Sequence, residues 1–503
     1  MSKKKVQRPK PRNPKGFRDV FAGDVRARLQ MIQTIRTVYE RYGFEPLETP
    51  AMEYVDVLGK FLPESDTPEG GIFAMKDDED NWVALRYDLT APLSRVVAQY
   101  GQDLAKPFRR YQVGPVYRME KPGPGRFREF YQFDIDTVGT PKMAADTEVC
   151  AILCESLETL GINRGDYSVR VNNRKVLNGV LEAADILSGD DDEKAKKQLI
   201  VLRAVDKLDR LGLDGVRELL GKGRMDESGD YTYGAELLED QIEKIMGFVS
   251  AGDDDRAKVC DRLEELVGQS EQGRQGVDEL RQIDTLLDAL SIGSDQVQFD
   301  PSVVRGLAYY TGPVFEAILT FEVPNEKGQI VQFGSVAGGG RYDDLVQRFT
   351  GNIIPATGAS IGVDRLLSAL KALGKFDNES DMGPVVVTVL DKNYIAQCQK
   401  MVQELRQAGI TSELYLGKGG FGAQLKYADK RRSPVAIIAG GDEFEKGEVS
   451  LKDLRLGALL SKEIEDRDEW RKGQPAQITV PRDQLVEKTK EMLARTYGPD
   501  SEK

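Results

Sequence analysis

Residues 108–136 read FRRYQVGPVYRMEKPGPGRFREFYQFDID, and no other stretch constrains the fold of this chain as much. Two strand-like runs, residues 111–119 and 127–137, flank a turn rich in glycine and proline, Lys121-Pro122-Gly123-Pro124-Gly125. The pattern predicts a long β-hairpin whose loop exceeds a two-residue turn. Side chains alternate across a strand, so Arg128, Phe130, Gln132, Asp134 and Asp136 share one face. Glu129, Tyr131, Phe133 and Ile135 share the other, which has the character of a core side. Arg118 stands on the first strand and Arg126 at the loop exit. A face that offers guanidinium groups, an amide and carboxylates suits a zwitterionic or phosphorylated ligand. The same residues also suit a charged hairpin exposed to water.

At 503 residues the chain exceeds one ordinary core, and about two to four domains are expected. No run approaches the roughly 18–20 apolar residues of a membrane span, and the first residues hold no apolar signal core. Residues 1–18 are basic and proline-rich, an arm that either touches nucleic acid or serves as a solubilising tail. Cys150, Cys154, Cys260 and Cys398 form no CxxC pair, which points to a reducing cytoplasm. Cys150 and Cys154 are one helical turn apart and are expected on a buried face. A net charge of −13 argues against a generic nucleic-acid coat protein but leaves room for a local RNA-binding surface.

The chain contains no histidine. That excludes a Ser-His-Asp triad, a Cys-His pair, an HExxH zinc site and any histidine general base. Catalysis here runs on carboxylates, Arg, Lys, Tyr, metal-bound phosphates or the substrate itself. Nucleotidyl transfer, which needs mainly positioning and charge neutralisation, fits that restriction best.

Along the chain, Asp24 can cap a helix running to about Tyr42. Val25, Leu29, Ile32, Arg36 and Tyr39 follow helical spacing, and Met31, Ile35, Val38 and Tyr42 line a second stripe, so burial on more than one side is expected. A strand at residues 44–49 ends at Pro50. Another at 82–87 leads into Asp88-Leu89-Thr90-Ala91-Pro92 and a helix to Tyr100. Residues 147–160 read as helix and 167–172 as strand. From about 187 to 295, Asp-rich punctuation brackets helical patterns, which predicts an acidic helical insertion. Strands at 314–321 and 333–336 follow, then a turn at Gly338-Gly339-Gly340-Arg341-Tyr342-Asp343. Residues 358–365 enter a further helix. Three glycines admit a ligand against bare backbone or build a tight turn. Arg365 opposes the dipole of its helix, which predicts an anion or an aromatic base as its partner. Beyond Gly383, strands at 385–390, 412–416, 435–439 and 448–453 alternate with helices, a small α/β domain. Its Lys418, Lys426, Lys430, Arg431 and Arg432 face RNA phosphates or plain solvent. A short helix at 483–495 is expected in the tail.

Taken together, residues 16–457 resemble a class II aminoacyl-tRNA synthetase, and specifically the histidyl-tRNA synthetase family. The helix–strand unit ending at Pro50 resembles the first class II motif, the hairpin the second and residues 358–365 the third. Two segments are peculiar to the histidine enzymes: Arg305-Gly306-Leu307-Ala308-Tyr309-Tyr310 and Ala337-Gly338-Gly339-Gly340-Arg341-Tyr342-Asp343. The resemblance implies an α+β fold, an antiparallel sheet flanked by helices, with the helical insertion near the tRNA acceptor stem. A C-terminal α/β anticodon-binding domain would follow. The boundaries it implies are an arm at 1–18, a catalytic domain at 19–383, an anticodon-binding domain at 384–480 and a tail at 481–503. It implies a cytoplasmic homodimer, with no membrane partner, that joins L-histidine to tRNA(His) using ATP and Mg2+, through histidyl-adenylate. Arg118 matches the arginine on the ATP α-phosphate, Arg365 the one on adenine and the γ-phosphate, and Arg126 a further ATP contact. Arg305 matches the arginine that neutralises the amino-acid carboxylate and the α-phosphate. Asp88, Thr90 and Gln132 match the positions that hold the α-amino group, and Asp136 and Tyr310 those that read the imidazole. Tyr309 lines the same pocket.

Carboxylate attack on a phosphate needs no protein base, because the nucleophile is already ionised at neutral pH. A chain without histidine can therefore perform it with arginines. Two departures from the family stand out. Many bacterial relatives carry Arg-Pro-Gln after the first hairpin strand, which helps to read an extra 5′ guanosine on the tRNA. Lys121-Pro122-Gly123 loses both the guanidinium fork and the amide, which implies weak dependence on that guanosine. Ala308 stands where an acidic residue is common. Two rival readings, a synthetase-like regulatory subunit of histidine biosynthesis and a sensor of uncharged tRNA, share the fold. Arg118, Arg305, Arg365 and the C-terminal domain argue against the first, and the lack of an effector segment against the second. The missing histidines also fit an enzyme that a histidine-starved cell can still translate, or drift in composition.

Overall fold

The computed structural model describes residues 8–58, 71–119, 121, 127–187, 191–225, 229–304, 310–324, 328–376, 382–463 and 476–495. Arg126, Arg305, Tyr309 and the Gly-Pro tip of the hairpin lie outside them. The chain divides into two units, Met1–Lys375 and Phe376–Lys503.

The first unit is built on an eight-stranded sheet. Its strands are β1 (Glu45–Pro46), β2 (Phe108–Tyr117), β3 (Glu129–Val138), β4 (Tyr167–Asn173), β5 (Val297–Phe299), β6 (Pro313–Pro324), β7 (Ile330–Arg341) and β8 (Ala356–Gly362). They lie in the order β1-β2-β3-β8-β7-β6-β4-β5. The inner pairings are all antiparallel, and only β1 on β2 and β5 on β4 are parallel. The expected hairpin is β2–β3, paired from Phe108 opposite Val138 to Tyr117 opposite Glu129.

The two faces of the hairpin divide as alternation requires. On one, Tyr111 and Phe133 pack edge to face at 5.9 Å, and Tyr39 of helix α1 (Ala22–Arg41) meets Phe133 at 4.8 Å. Helix α1 buries Ala27, Met31, Ile35, Val38 and Tyr39, a single stripe. That is the expected stripe of Met31, Ile35 and Val38; of the other, Val25 and Ile32 are only half-buried within this chain and Leu29 is 58% exposed. Asp24 is not the cap: the helix begins two residues earlier, and Asp24 pairs from its first turn with Lys371. Helix α2 (Thr90–Tyr100) follows the Asp88 segment, and helix α3 (Met143–Thr159) buries Cys150 and Cys154.

The glycine triplet departs from its expected form. Gly338, Gly339 and Gly340 are not a turn but lie within β7, paired on both sides, and Arg341 ends the strand, paired with Thr357 of β8. Glycine is a poor strand former, so local propensity hides a strand that tertiary pairing imposes. Arg341 points into the core, where its Nη2 pairs with the buried Asp146 of α3 and its Nη1 donates to the Thr140 carbonyl at 3.0 Å. The strand expected at 44–49 shrinks to β1. The region expected as a helical insertion contains the helices Asp191–Val205, Leu208–Leu220, Glu239–Val249, Arg256–Val267 and Glu271–Ala289, plus a small hairpin, Gly223–Met225 with Tyr231–Tyr233.

The second unit carries a five-stranded sheet in the order Ser412–Leu414, Val385–Val387, Val435–Ile438, Glu448–Asp453, Gln477–Pro481. Its core is aliphatic, centred on Val385, Val387, Val402, Leu405, Val435, Ile437 and Leu451. The last strand has no counterpart among those the sequence pattern predicts, where this stretch reads only as the approach to a tail. Helix Leu485–Leu493 follows it.

Candidate active site

Strand register assembles the site. One row across the sheet runs Gln112, Asp134, Ser360, Gly338, Glu316, Arg170, and the next runs Arg110, Asp136, Gly358, Gly340, Val314, Asn172. Paired residues face the same side, so glycines form the floor between the carboxylates of β3 and Glu316 of β6. A Cβ at Gly358 would stand 2.3 Å from Asp136 Oδ1, and one at Gly340 would meet the Tyr310 ring at 2.9 Å. No side chain fits either place.

Above that floor lies a cavity of about 430 Å³, lined by Asp88, Thr90, Arg118, Gln132, Asp134, Asp136 and Tyr310 among others. The structure therefore brings together Arg118 and all the histidine-contact residues named from the sequence that it describes. Arg365 does not line the cavity. It stands in the first turn of helix α4 (Val363–Ala372), donates to the Phe333 carbonyl at 3.0 Å and lies 5.5 Å from the Phe333 ring. Phe333 is two residues from Ser335, which does line the cavity. Asp364 accepts from the Tyr131 amide of β3 at 2.8 Å and from Arg18 at 2.8 Å, which ties that end of α4 to the hairpin.

The polar groups are held tightly. Asp88 accepts from the Ala91 amide at 2.9 Å, which fixes it at the start of α2. Arg118 donates through Nε to the Tyr87 carbonyl at 3.2 Å and sits 5.3 Å from the Phe130 ring. Gln132 Nε2 donates to Ser360 Oγ at 2.8 Å. Asp136 accepts from the Tyr342 hydroxyl and stands 2.8 Å from Arg110 Nη2, an ion pair without hydrogen-bond geometry.

Burial pushes the carboxyls of Asp88, Asp134 and Asp136 above the usual range, Asp134 up to about 7. Arg110 opposes the rise at Asp134 and Asp136, and the Ala91 amide and Arg118 oppose it at Asp88. The like charge of Asp136 lifts Asp134 further, as a neighbouring acid does. Among the described residues, four buried oxygens of this cavity have no hydrogen-bond partner: Asp88 Oδ2, Gln132 Oε1, Asp134 Oδ1 and Asp136 Oδ2. All four are acceptors. The cavity is chemically set for a ligand that brings several N–H donors.

Sequence reasoning places Asp134 on this face without a role and misses Glu316, Ser335, Ser360 and Tyr342 as lining residues. Period-two alternation already carries the signal for Asp134. Ser360 and Glu316 come into view only through register between strands far apart in sequence.

A family model described as histidyl-tRNA synthetase matches residues 16–366, and one described as anticodon binding domain matches 384–492. The histidine–tRNA ligase of Dinoroseobacter shibae is 60% identical, over 98% of this chain and 99% of that protein. That of Brucella suis is 55% identical, over 97% of each. Among solved structures, the histidyl-tRNA synthetase from Nostoc sp. PCC 7120 is 31% identical with a TM-score of 0.70, covering 96% of this chain and all of that one. A Bacillus halodurans chain described as ATP phosphoribosyltransferase regulatory subunit/histidyl-tRNA synthetase, 23% identical at a TM-score of 0.63, shares the fold over 83% of this chain and 97% of its own. A family model over most of the chain and identity of this extent along nearly its whole length leave one conclusion: the chain belongs to the histidyl-tRNA synthetase family.

Proposed function

We propose that the cavity takes L-histidine by its two nitrogenous ends, and that the residues around it divide the work of adenylate formation. The chain is a ligase: ATP, L-histidine and tRNA(His) give AMP, diphosphate and histidyl-tRNA(His) through a histidyl-adenylate. The four unpartnered acceptors carry the reading of the pocket. An α-ammonium has three donors and an imidazole has an N–H, and these meet the oxygens that have no hydrogen-bond partner among the described residues. Asp88, Thr90 and Gln132 receive the ammonium, and Asp136, with Tyr309 and Tyr310, receives the ring.

In the first step a carboxylate oxygen of histidine attacks the α-phosphorus of ATP, the P–O bond to the β-phosphate breaks, and pyrophosphate departs. Arg118 and Arg305 neutralise the charge gathered on the α-phosphate, while Arg126 and Arg365 hold the rest of the nucleotide. In the second step the terminal ribose hydroxyl of the tRNA attacks the acyl carbon, and the adenylate phosphate accepts its proton as AMP leaves. The described residues hold no group of three His, Cys, Asp or Glu side chains that could bind a metal alone. Magnesium is therefore proposed as an ion borne on the phosphates, where it would screen their charge.

The proposal extends to a cytoplasmic homodimer that does not rely on an extra 5′ guanosine. All four cysteines are free and buried, and no helix among the described residues is long and apolar enough to cross a membrane. The stripe of Val25, Leu29 and Ile32 on α1 is left for a second copy to cover.

Histidine-dependent exchange of pyrophosphate into ATP tests the whole reading. Activity is expected with L-histidine and Mg2+, and its loss in Arg305→Ala by about 10³-fold or more. Exchange independent of histidine, or an unimpaired Arg305→Ala, sinks it.

A further inference from the structure

We propose that Asp134, acting through Ser360, sets the direction in which the Gln132 amide faces the ligand, and so makes the pocket select an α-ammonium over an α-hydroxyl. The inference rests on Gln132 receiving the α-amino group.

The three residues meet on the cavity floor, with Ser360 bonded to Gln132 and placed opposite Asp134. Asp134 is 2% exposed and stands opposite Ser360 in the β3–β8 register. The Ser360 side chain faces the Asp134 carboxyl across that register, and its hydroxyl opposes the upward shift of the carboxyl. Gln132 Nε2 donates to Ser360 Oγ at 2.8 Å. An ionised carboxylate can only accept, so the serine must donate to it, and the serine oxygen is then left to accept from the amide. The amide nitrogen is thereby committed to Ser360. Its oxygen, buried and unpartnered among the described residues, is the atom presented to the ligand. That polarity suits an ammonium, which has donors only. With Asp134 neutral and donating, the serine could instead donate to Gln132 Oε1, and the amide would turn NH₂ towards the ammonium. A buried chain of this kind is polarised by whichever end cannot change role.

The groups facing Asp134 are Arg110 on β2, Asp136 on β3, Ser360 on β8, Asp88 before α2 and Arg86 before it, with Tyr39 beneath on α1. Burial lifts its carboxyl to about 7, and Arg110 and Ser360 oppose that lift. The polarity of the chain therefore weakens as pH falls through that value.

The test compares histidine with imidazole lactate, its α-hydroxy analogue, in the full-length enzyme. Pyrophosphate exchange gives KM for histidine, and competitive inhibition gives Ki for the lactate. A hydroxyl donates or accepts, so the analogue is indifferent to the amide's direction. In Asp134→Leu the preference for histidine is expected to fall by about 10- to 100-fold, with KM for ATP unchanged. Asp134→Asn, whose amide oxygen can still accept from Ser360, keeps KM within about threefold of native. The native KM for histidine, relative to that of Asp134→Asn, rises as pH falls below about 7. Ser360→Ala cuts the chain at its centre and must behave like Asp134→Leu, which covers the case in which the leucine variant does not fold. The proposal is overturned if Ser360→Ala keeps the native preference, if the asparagine variant loses as much as the leucine one, or if the two pH profiles run parallel. A native enzyme without histidine-dependent exchange refutes the function above instead.

Discussion

Two arginine–aspartate pairs are buried in the same sheet, and they are built differently. Arg341 and Asp146 join β7 to α3, and the guanidinium also reaches the Thr140 carbonyl and Asp343. Arg110 and Asp136 lie side by side in β2 and β3, where Arg110 reaches only the Leu89 carbonyl besides, and its Nε and Nη1 have no partner among the described residues. Asp136 also shares its surroundings with a second acid, Asp134. The first pair is the better supplied, with both Nη atoms of Arg341 bonded, although Arg341 Nε and Asp146 Oδ1 have no partner among the described residues. The second is left short of partners at the edge of a cavity, a state that costs stability and persists where a ligand completes it.

The comparison can be broken most sharply at Asp136. Asp136→Asn is expected to lower kcat/KM for histidine by about 10³-fold, roughly 4 kcal/mol, with thermal unfolding moved by only a few degrees. Asp134 remains to balance Arg110. A variant that unfolds while its folded fraction keeps native KM would show the pair to be structural. At the other pair the expectation inverts. Arg341→Met strands the buried Asp146 and costs about 3–5 kcal/mol in urea unfolding, with KM for histidine within about threefold of native. Replacing both partners, Arg341→Met with Asp146→Leu, should recover most of that loss. If it does not, hydrogen bonds to the carbonyls rather than the ion pair hold α3.

The smallest effect concerns pH. The carboxyl of Asp134 is raised in the folded state to about 7, against roughly 3.9 when unfolded. Its contribution to stability is therefore fully present below about pH 4 and is lost as pH rises through about 7. Native protein should lose stability relative to Asp134→Asn between about pH 5 and pH 7, a window inside that range. A constant difference would mean that Asp134 stays ionised throughout and that the polar row is less buried than its neighbours imply.

The two pairs are unequally legible in the sequence. Alternation along β3 suffices to put Gln132, Asp134 and Asp136 on one face, because a period of two is a local property of a strand. Arg341 belongs to a motif that the sequence singles out, yet its glycines read as a turn, and its partner Asp146 is 195 residues away. Gly358 and Ser360 are visible as residues but not as the other wall of the pocket. What places them opposite Asp136 and Asp134 is the β3–β8 register, which no nearby residue encodes. The end of helix α1 shows the reverse limit. Asp24 carries a helix-start signal, but an uncapped start at Ala22 is held by packing further along the helix.

The tie between Asp364 and the Tyr131 amide joins positions 233 residues apart, and the one to Arg18 joins positions 346 apart. On a ribosome adding roughly 5–20 residues per second, strand β3 is made on the order of 10–50 s before the residue that fastens it. During that interval β2 can pair with β3, while the inner edge of β3, where β8 will dock, has no strand to meet. Fastening of the α4 end of the hairpin is thus one of the latest events in the birth of this unit. A chain released early, short of β8, carries an open sheet edge together with all the acids that line its cavity.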